Sequence, residues 1–178
     1  ARVAGLVLAA GEGRRFRGPK APVVIGGERL VDRAVRVLRE GGCDPVYVVL
    51  GAWSGDVPDA MVVANPEWPE GMGSSLRAGL TALESAPVDA VVVTLVDLPG
   101  LTSAAVRRLV EADTGIAAAT YDGERGHPVR FSREHWAGIA DSARGDAGAR
   151  DYLRAHADQV SLIEVGDVAS GEDLDEPA

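Results

Sequence analysis

Apolar residues come in short runs separated by loops rich in glycine, proline and charge, and the runs alternate between strand and helix character. The first, Val3-Ala4-Gly5-Leu6-Val7-Leu8-Ala9, contains no polar residue and empties into a glycine loop. Leu30, Val31, Ala34, Val35 and Leu38 recur at helical spacing, and Gly41-Gly42 closes that helix. Val46 to Leu50 predicts a strand that, lacking alternation, is buried on both faces, as in a parallel sheet covered by helices. Val62-Val63-Ala64 predicts a short strand, stopped by Asn65-Pro66. A helix carrying Leu76, Leu80 and Leu83 on one face opens at Gly71-Met72-Gly73-Ser74-Ser75, with Ser74 or Ser75 as its simplest cap. Val91 to Val96 is the second strong buried strand and ends on Asp97-Leu98-Pro99, after which Thr102 caps a helix through Val106, Leu109 and Val110.

The second half is less regular. Ile116 to Tyr121 and Val129 to Phe131 read as strands around a polar turn, Asp122 to Gly126, which either pair as a hairpin or flank a substrate loop. Short helices are expected near Arg133 to Ala140 and Gly148 to Ala155, the latter capped by Asp146, and a last strand, Val160 to Val165, precedes an acidic tail. Alternating strands and helices predict a three-layer α/β/α fold with a mostly parallel central sheet, in which ligands sit at the carboxyl ends of the strands.

With 178 residues, 46% of them hydrophobic, the chain suffices for one domain over 1–178 with a sizeable core. A net charge of −9 argues against nucleic acid as a partner, because a phosphate-backbone binder needs a broad positive surface. Cys43 is the single cysteine, which excludes a disulfide framework and a cysteine metal site and fits a reducing compartment; it reads as structural. No apolar run approaches the ~18 residues of a membrane helix and the start of the chain lacks a signal-peptide layout, so a soluble cytoplasmic protein is expected.

Against that acidic background, Ala10 to Lys20 combines glycines with Arg14, Arg15, Arg17 and Lys20. Glycines let bare N–H groups approach an anion, and the cations supply the charge that amides cannot, so the composition is that of a phosphate cradle. It is not a P-loop, because Pro19 separates Gly18 from Lys20 and Ala21 follows; nor is it a good dinucleotide fingerprint, because Phe16 stands where a third small residue is needed. Asp97 sits where an apolar strand runs out, which suits either a turn cap or a ligand to Mg²⁺ facing a triphosphate. His127 precedes a proline and reads as a surface turn residue, His135 and His156 as helix-surface residues, and Trp53, Trp68 and Trp136 as core or rim packing.

Leu8-Ala9-Ala10-Gly11-x-Gly13-x-Arg15-Phe16 followed by Lys20 resembles the signature of the MobA-like nucleotidyltransferases, which include the molybdenum-cofactor enzymes. The resemblance implies a Rossmann-like nucleotidyltransferase fold in which Leu8, Ala10, Gly11, Gly13 and Arg14 hold a nucleoside triphosphate and Arg15 and Lys20 are its charged, catalytic contacts. Glycine is usual in the family where this chain has Arg17. Asp97-Leu98-Pro99 resembles the family's Asp-x-Pro metal motif, and Asp173 and Asp175 match an acidic tail element that completes the Mg²⁺ site, with Glu176 in place of the usual threonine. The helix start with Gly71, Gly73 and Ser75 resembles the one beside the nucleotide base. Arg125-Gly126-His127-Pro128-Val129 and Gly145 to Arg150 resemble elements of the molybdenum cofactor cytidylyltransferases, which implies that His127, Asp146 and Arg150 face the pterin. The implied reaction transfers CMP from CTP to molybdopterin. Alternatives left open are a guanylyltransferase using GTP, which usually has glycine at the place of Ala10, and a non-catalytic cofactor-binding or insertion protein for a molybdenum hydroxylase.

Overall fold

The computed structural model describes residues 2–174. In chain order, β1 is Val3–Ala9, β2 Val24–Ile25, β3 Glu28–Arg29, α1 Leu30–Glu40, β4 Val46–Leu50, β5 Met61–Ala64, α2 Met72–Leu83 and β6 Ala90–Leu95. Then follow α3 Ser103–Val110, β7 Ile116–Tyr121, β8 Glu124–Ser132, α4 Trp136–Ser142, α5 Arg150–Ala155 and β9 Val160–Glu164. Seven strands form one sheet in the order β5-β4-β1-β6-β8-β7-β9, and β2 and β3 form a separate small hairpin. β1 pairs in parallel with both β4 and β6, and β8 runs antiparallel to its neighbours β6 and β7.

β1 is buried along its whole length because both faces are covered. Val3 and Val7 pack with α1 and α3, whereas Ala4, Leu6 and Leu8 pack with α2 and α4. The helices lie close to it. A Cβ on Gly5 would come within 2.8 Å of Leu38 in α1, and one on Gly79 in α2 would meet Leu6 at 2.7 Å. The chain leaves β1 through α1 toward β4 and β5, then returns through α2 to β6 on the other side of β1. The order therefore reverses between β1 and β6, and such a switch point opens a crevice at the carboxyl ends of the strands.

The two strong buried strands, the edge strand β5, α1 to α3 and the Thr102 cap, which accepts from the Ala105 amide at 3.3 Å, stand as the hydrophobic pattern predicts. Four details differ. β8 begins at Glu124, so the predicted turn shrinks to Asp122-Gly123 and the pair is a hairpin; Val93 opposite Val129 then places His127 in a strand toward the carboxyl end of β6. Asp146 caps nothing, because Gly145 and Gly148 turn the chain with positive φ and α5 begins at Arg150. α2 starts after Gly71, which leaves Ser74 and Ser75 inside its first turn. His135 is buried, its Nδ1 lying 2.7 Å from the Tyr152 hydroxyl.

Glu164 at the end of β9 fastens that hairpin turn. Its carboxylate accepts from the amides of Asp122 at 2.9 Å and Gly123 at 3.0 Å and from the Thr120 hydroxyl at 2.9 Å. These bonds hold its pKa down to about 2. A depressed folded pKa contributes stability that is complete above the ordinary range near 4.5 and disappears as pH falls through about 2. Glu164→Gln is therefore expected to unfold at lower denaturant than the parent at pH 7, with the difference narrowing between pH 4.5 and 2; a constant difference in denaturation midpoint would remove Glu164 from the acid response.

Candidate active site

The crevice over the switch point holds two adjoining cavities. The larger, about 680 Å³, is lined by β1 and its following loop (Leu8 to Arg14, with Lys20), by Trp68, Pro69, Gly71, Met72 and Ser75 around the start of α2, and by Asp97 and Asp146. The smaller, about 270 Å³, has an apolar floor that includes Val93, Val129 and Phe131 and a rim of Arg125, His127, Asp146 and Arg150. Leu8, Met72 and Asp146 belong to both, so they form the partition.

The glycine loop closes on itself, with the Gly18 amide donating to the Gly13 carbonyl at 3.0 Å. Gly13 has φ 64°, and a Cβ there would lie 1.9 Å from the Gly18 carbonyl oxygen, so no other residue fits the turn. Arg17 sits at φ 70°, a left-handed conformation that costs an L residue about 1–2 kcal/mol and accounts for glycine being the easier residue there. Arg14 lines the cavity, ion-paired to Glu12, while Arg15 is exposed and outside the lining.

Lys20 and Asp97 come together from opposite sides of the switch point. Their Nζ and Oδ2 are 3.0 Å apart and both side chains are mostly buried. The described end of the chain returns to the same place, where the Leu174 amide donates to the Asp97 carbonyl at 2.9 Å. Asp175 lies outside the described residues. Asp97 supplies one carboxylate, and among the described residues no group of three metal-ligating side chains is assembled. Such a donor set fits a hard divalent ion that arrives with phosphate oxygens, as Mg²⁺ does, and does not make an all-protein cage.

The loop 143–146 docks backbone to backbone on the start of α2. Gly73 gives its amide to the Gly145 carbonyl at 2.8 Å, and a Cβ on Gly73 would be 2.8 Å from the Arg144 amide nitrogen. Gly71, at φ 107°, would place a Cβ 2.5 Å from Asp146 Oδ1. Both glycines thus allow a close approach that carries Asp146 into the partition. Gly73→Ala is expected to cost about 1–3 kcal/mol by forcing that loop away, measured by denaturation; an unchanged midpoint would mean that the loop is not seated through Gly73.

In the smaller cavity, burial pushes the His127 pKa down to about 4; the nearby Asp97 charge opposes that shift and Arg125 adds to it. His127 is therefore neutral at neutral pH and offers one donor and one acceptor. Its carbonyl accepts from the Tyr121 hydroxyl at 2.6 Å, and burial raises that phenol to about 12. The structure thus gathers Leu8, Ala10, Gly11, Gly13, Arg14, Lys20, Gly71, Ser75, Asp97 and Asp146 around one cavity and His127 and Arg150 around its neighbour. Trp68, read from the sequence as core or rim packing, faces the first cavity with Pro69, Met72 faces both cavities and Phe131 the second; the last three carry no site signal in the sequence.

A glycine loop after β1, an aspartate after β6 and a cleft over the switch point define a nucleotidyltransferase-type α/β protein. Residues 5–160 match the MobA-like NTP transferase domain, and the chain belongs to that family. It is 37% identical to nicotine blue oxidoreductase of Paenarthrobacter nicotinovorans over 97% of its own length and 92% of that protein's. To molybdenum cofactor guanylyltransferase of Cereibacter sphaeroides it is 34% identical, over 72% of this chain and 67% of the other. Among solved structures, the Mycobacterium sp. strain JC1 homologue of Mycobacterium tuberculosis rv0371c superposes with a TM-score of 0.84 at 29% identity, covering 99% of this chain and 92% of that one. Rv0371c of Mycobacterium tuberculosis H37Rv in complex with manganese gives 0.75 at 26% identity, covering 98% and 94%. Among the described residues no helix is long and apolar enough to cross a membrane.

Proposed function

We propose that the protein transfers CMP from CTP to the terminal phosphate of molybdenum-bound molybdopterin and releases pyrophosphate. The observation that carries this reading is the pair of cavities sharing Leu8, Met72 and Asp146, one faced by the glycine loop, Lys20 and Asp97, the other by Arg125, His127 and Arg150 over an apolar floor. In this reading the first cavity would take the triphosphate and the second a flat anionic acceptor. The acceptor phosphate, with a second pKa near ~6, is largely ionised and already nucleophilic at neutral pH. Its oxygen attacks the α-phosphorus, and the bond from that phosphorus to the oxygen bridging to the β-phosphate breaks, so no general base is required. The barrier lies in bringing two anions together. Lys20, leaving its pairing with Asp97, and Arg15, from the rim of the loop, neutralise the triphosphate; Arg125 and Arg150 do so for the acceptor. Asp97 would hold a divalent ion, Mg²⁺ in this reading, which when bound offsets phosphate charge; the manganese complex of the mycobacterial relative supports a divalent metal in the family. The short Ala10 side chain and the Ser75 helix start, both lining the larger cavity, favour a pyrimidine.

Two relatives favour other readings. The guanylyltransferase keeps the same chemistry with GTP. The relative named nicotine blue oxidoreductase matches nearly the whole chain, which makes a redox reaction the other alternative. The test is pyrophosphate release with each of the four nucleoside triphosphates, Mg²⁺ and molybdenum-loaded molybdopterin. Release with CTP alone is expected. Release with GTP instead makes the protein a guanylyltransferase, and no release, with consumption of reduced nicotinamide dinucleotide and a dye, makes it an oxidoreductase. Neither activity, with pterin cofactor bound and passed on to an apo molybdenum hydroxylase, makes it an insertion protein. CTP at about 100-fold its Kd is expected to raise the Tm by about 5–11 °C, more than GTP does.

A further inference from the structure

Asn65 follows β5 directly and its side chain is buried, 3% exposed, beneath the first turn of α2. Its amide orientation is set by its neighbours. The Glu67 backbone N–H, 3.0 Å away, can only donate, so the atom facing it is Oδ1. Nδ2 therefore faces the serines and donates to Ser74 Oγ at 2.9 Å and Ser75 Oγ at 3.0 Å. The two hydroxyls then diverge. Ser74 spends its proton on the carbonyl of Gly71, at 2.8 Å, or of Glu67, at 3.0 Å. Ser75 accepts the same kind of bond from Asn65, donates to no carbonyl among the described residues, and lines the larger cavity. Its proton is therefore available to a ligand in that cavity.

We propose that Asn65 is a positioning residue that fixes Ser75 as a hydrogen-bond donor toward an acceptor atom of the bound nucleoside. The inference rests on the reading of the larger cavity as the nucleotide site. Without Asn65 a serine hydroxyl is ambivalent, donating or accepting as its surroundings allow. With a donor amide beneath it, one lone pair of the hydroxyl is taken and the proton remains for the ligand, so a ligand group that can only donate at that point leaves that proton without an acceptor. Asn65→Asp keeps the shape and inverts the chemistry. The carboxylate still accepts from Glu67 but now also accepts the Ser75 proton, turning the hydroxyl's lone pairs toward the ligand.

The experiment is calorimetric titration of the parent, Asn65→Asp, Ser75→Ala, Ser75→Thr and the Asn65→Asp/Ser75→Ala double variant with CTP and, separately, with inorganic tripolyphosphate. Asn65→Asp and Ser75→Ala are each expected to weaken CTP about tenfold, the double variant no more than the weaker of the two, and Ser75→Thr to restore most of the loss. Tripolyphosphate affinity is expected to stay within twofold of the parent throughout. Losses that multiply in the double variant, or tripolyphosphate binding that falls in step with CTP, would overturn the inference, because Asn65 would then merely hold α2 in place. A parent that binds tripolyphosphate and not CTP, GTP, ATP or UTP would instead overturn the nucleotide reading of the cavity, and the inference with it.

Discussion

Asp97→Asn is expected to lower metal-dependent turnover about 10³-fold, the equivalent of ~4 kcal/mol of transition-state stabilisation, while the protein stays folded. The amide preserves size and can still meet Lys20, 3.0 Å away in the parent, but it no longer carries the charge that a hard cation requires. β6 is packed on both faces and delivers residue 97 rigidly to the switch point, whereas the other carboxylates of that cavity, Glu12 and Asp146, sit on loops. Turnover is measured as pyrophosphate release across a Mg²⁺ titration, and the thermal midpoint in parallel. Activity within tenfold of the parent at saturating Mg²⁺ would place the metal on other ligands.

Gly13→Ala is expected to reduce triphosphate affinity by about two orders of magnitude. The new methyl would sit 1.9 Å from the Gly18 carbonyl oxygen, on a residue already at φ 64°, so the loop must open rather than adjust. Opening it breaks the Gly18 to Gly13 hydrogen bond and moves both the cradling amides and Lys20 away from the phosphates. Because the loop lies at the surface, global stability is expected to fall by no more than the strain of one turn, about 1–2 kcal/mol. Calorimetric titration with CTP and Mg²⁺ reports the effect; unchanged affinity would mean that the phosphates lie elsewhere in the crevice.

The central strands and the residues at their ends were legible because one physical signal, an uninterrupted apolar run stopped by glycine or proline, marks both the buried strand and the point where it surfaces. Ala10, Gly13 and Asp97 lie just beyond such runs, and Lys20 closes the glycine loop that follows the first of them. From the sequence, β8 is legible only from Val129 onward, because Glu124 is exposed and Arg125 to His127 border a cavity rather than core, so that half of the strand carries no hydrophobic signature. Asn65 next to Pro66 read as a strand terminator, which it is; its grip on two hydroxyls depends on how a helix start folds back over a strand end, and periodicity does not encode that. His135 looked like a surface residue because its partner, the Tyr152 hydroxyl, comes from a later helix. Asp146 resembled a cap by spacing alone, whereas two left-handed glycines divert the chain around it.

The wall shared by the two cavities bears on how substrate choice can diverge within the family. Leu8, Met72 and Asp146 touch both compartments, so a change in any of them disturbs both at once and is penalised twice. Arg125 and Arg150 line the second compartment alone and are exposed, so they can vary without disturbing the first. On the proposed reading, a new acceptor would be accommodated by changes in β8 and the 147–153 segment while β1 and its glycine loop stay as they are, so one half of the crevice serves as a chassis and the other as a replaceable part.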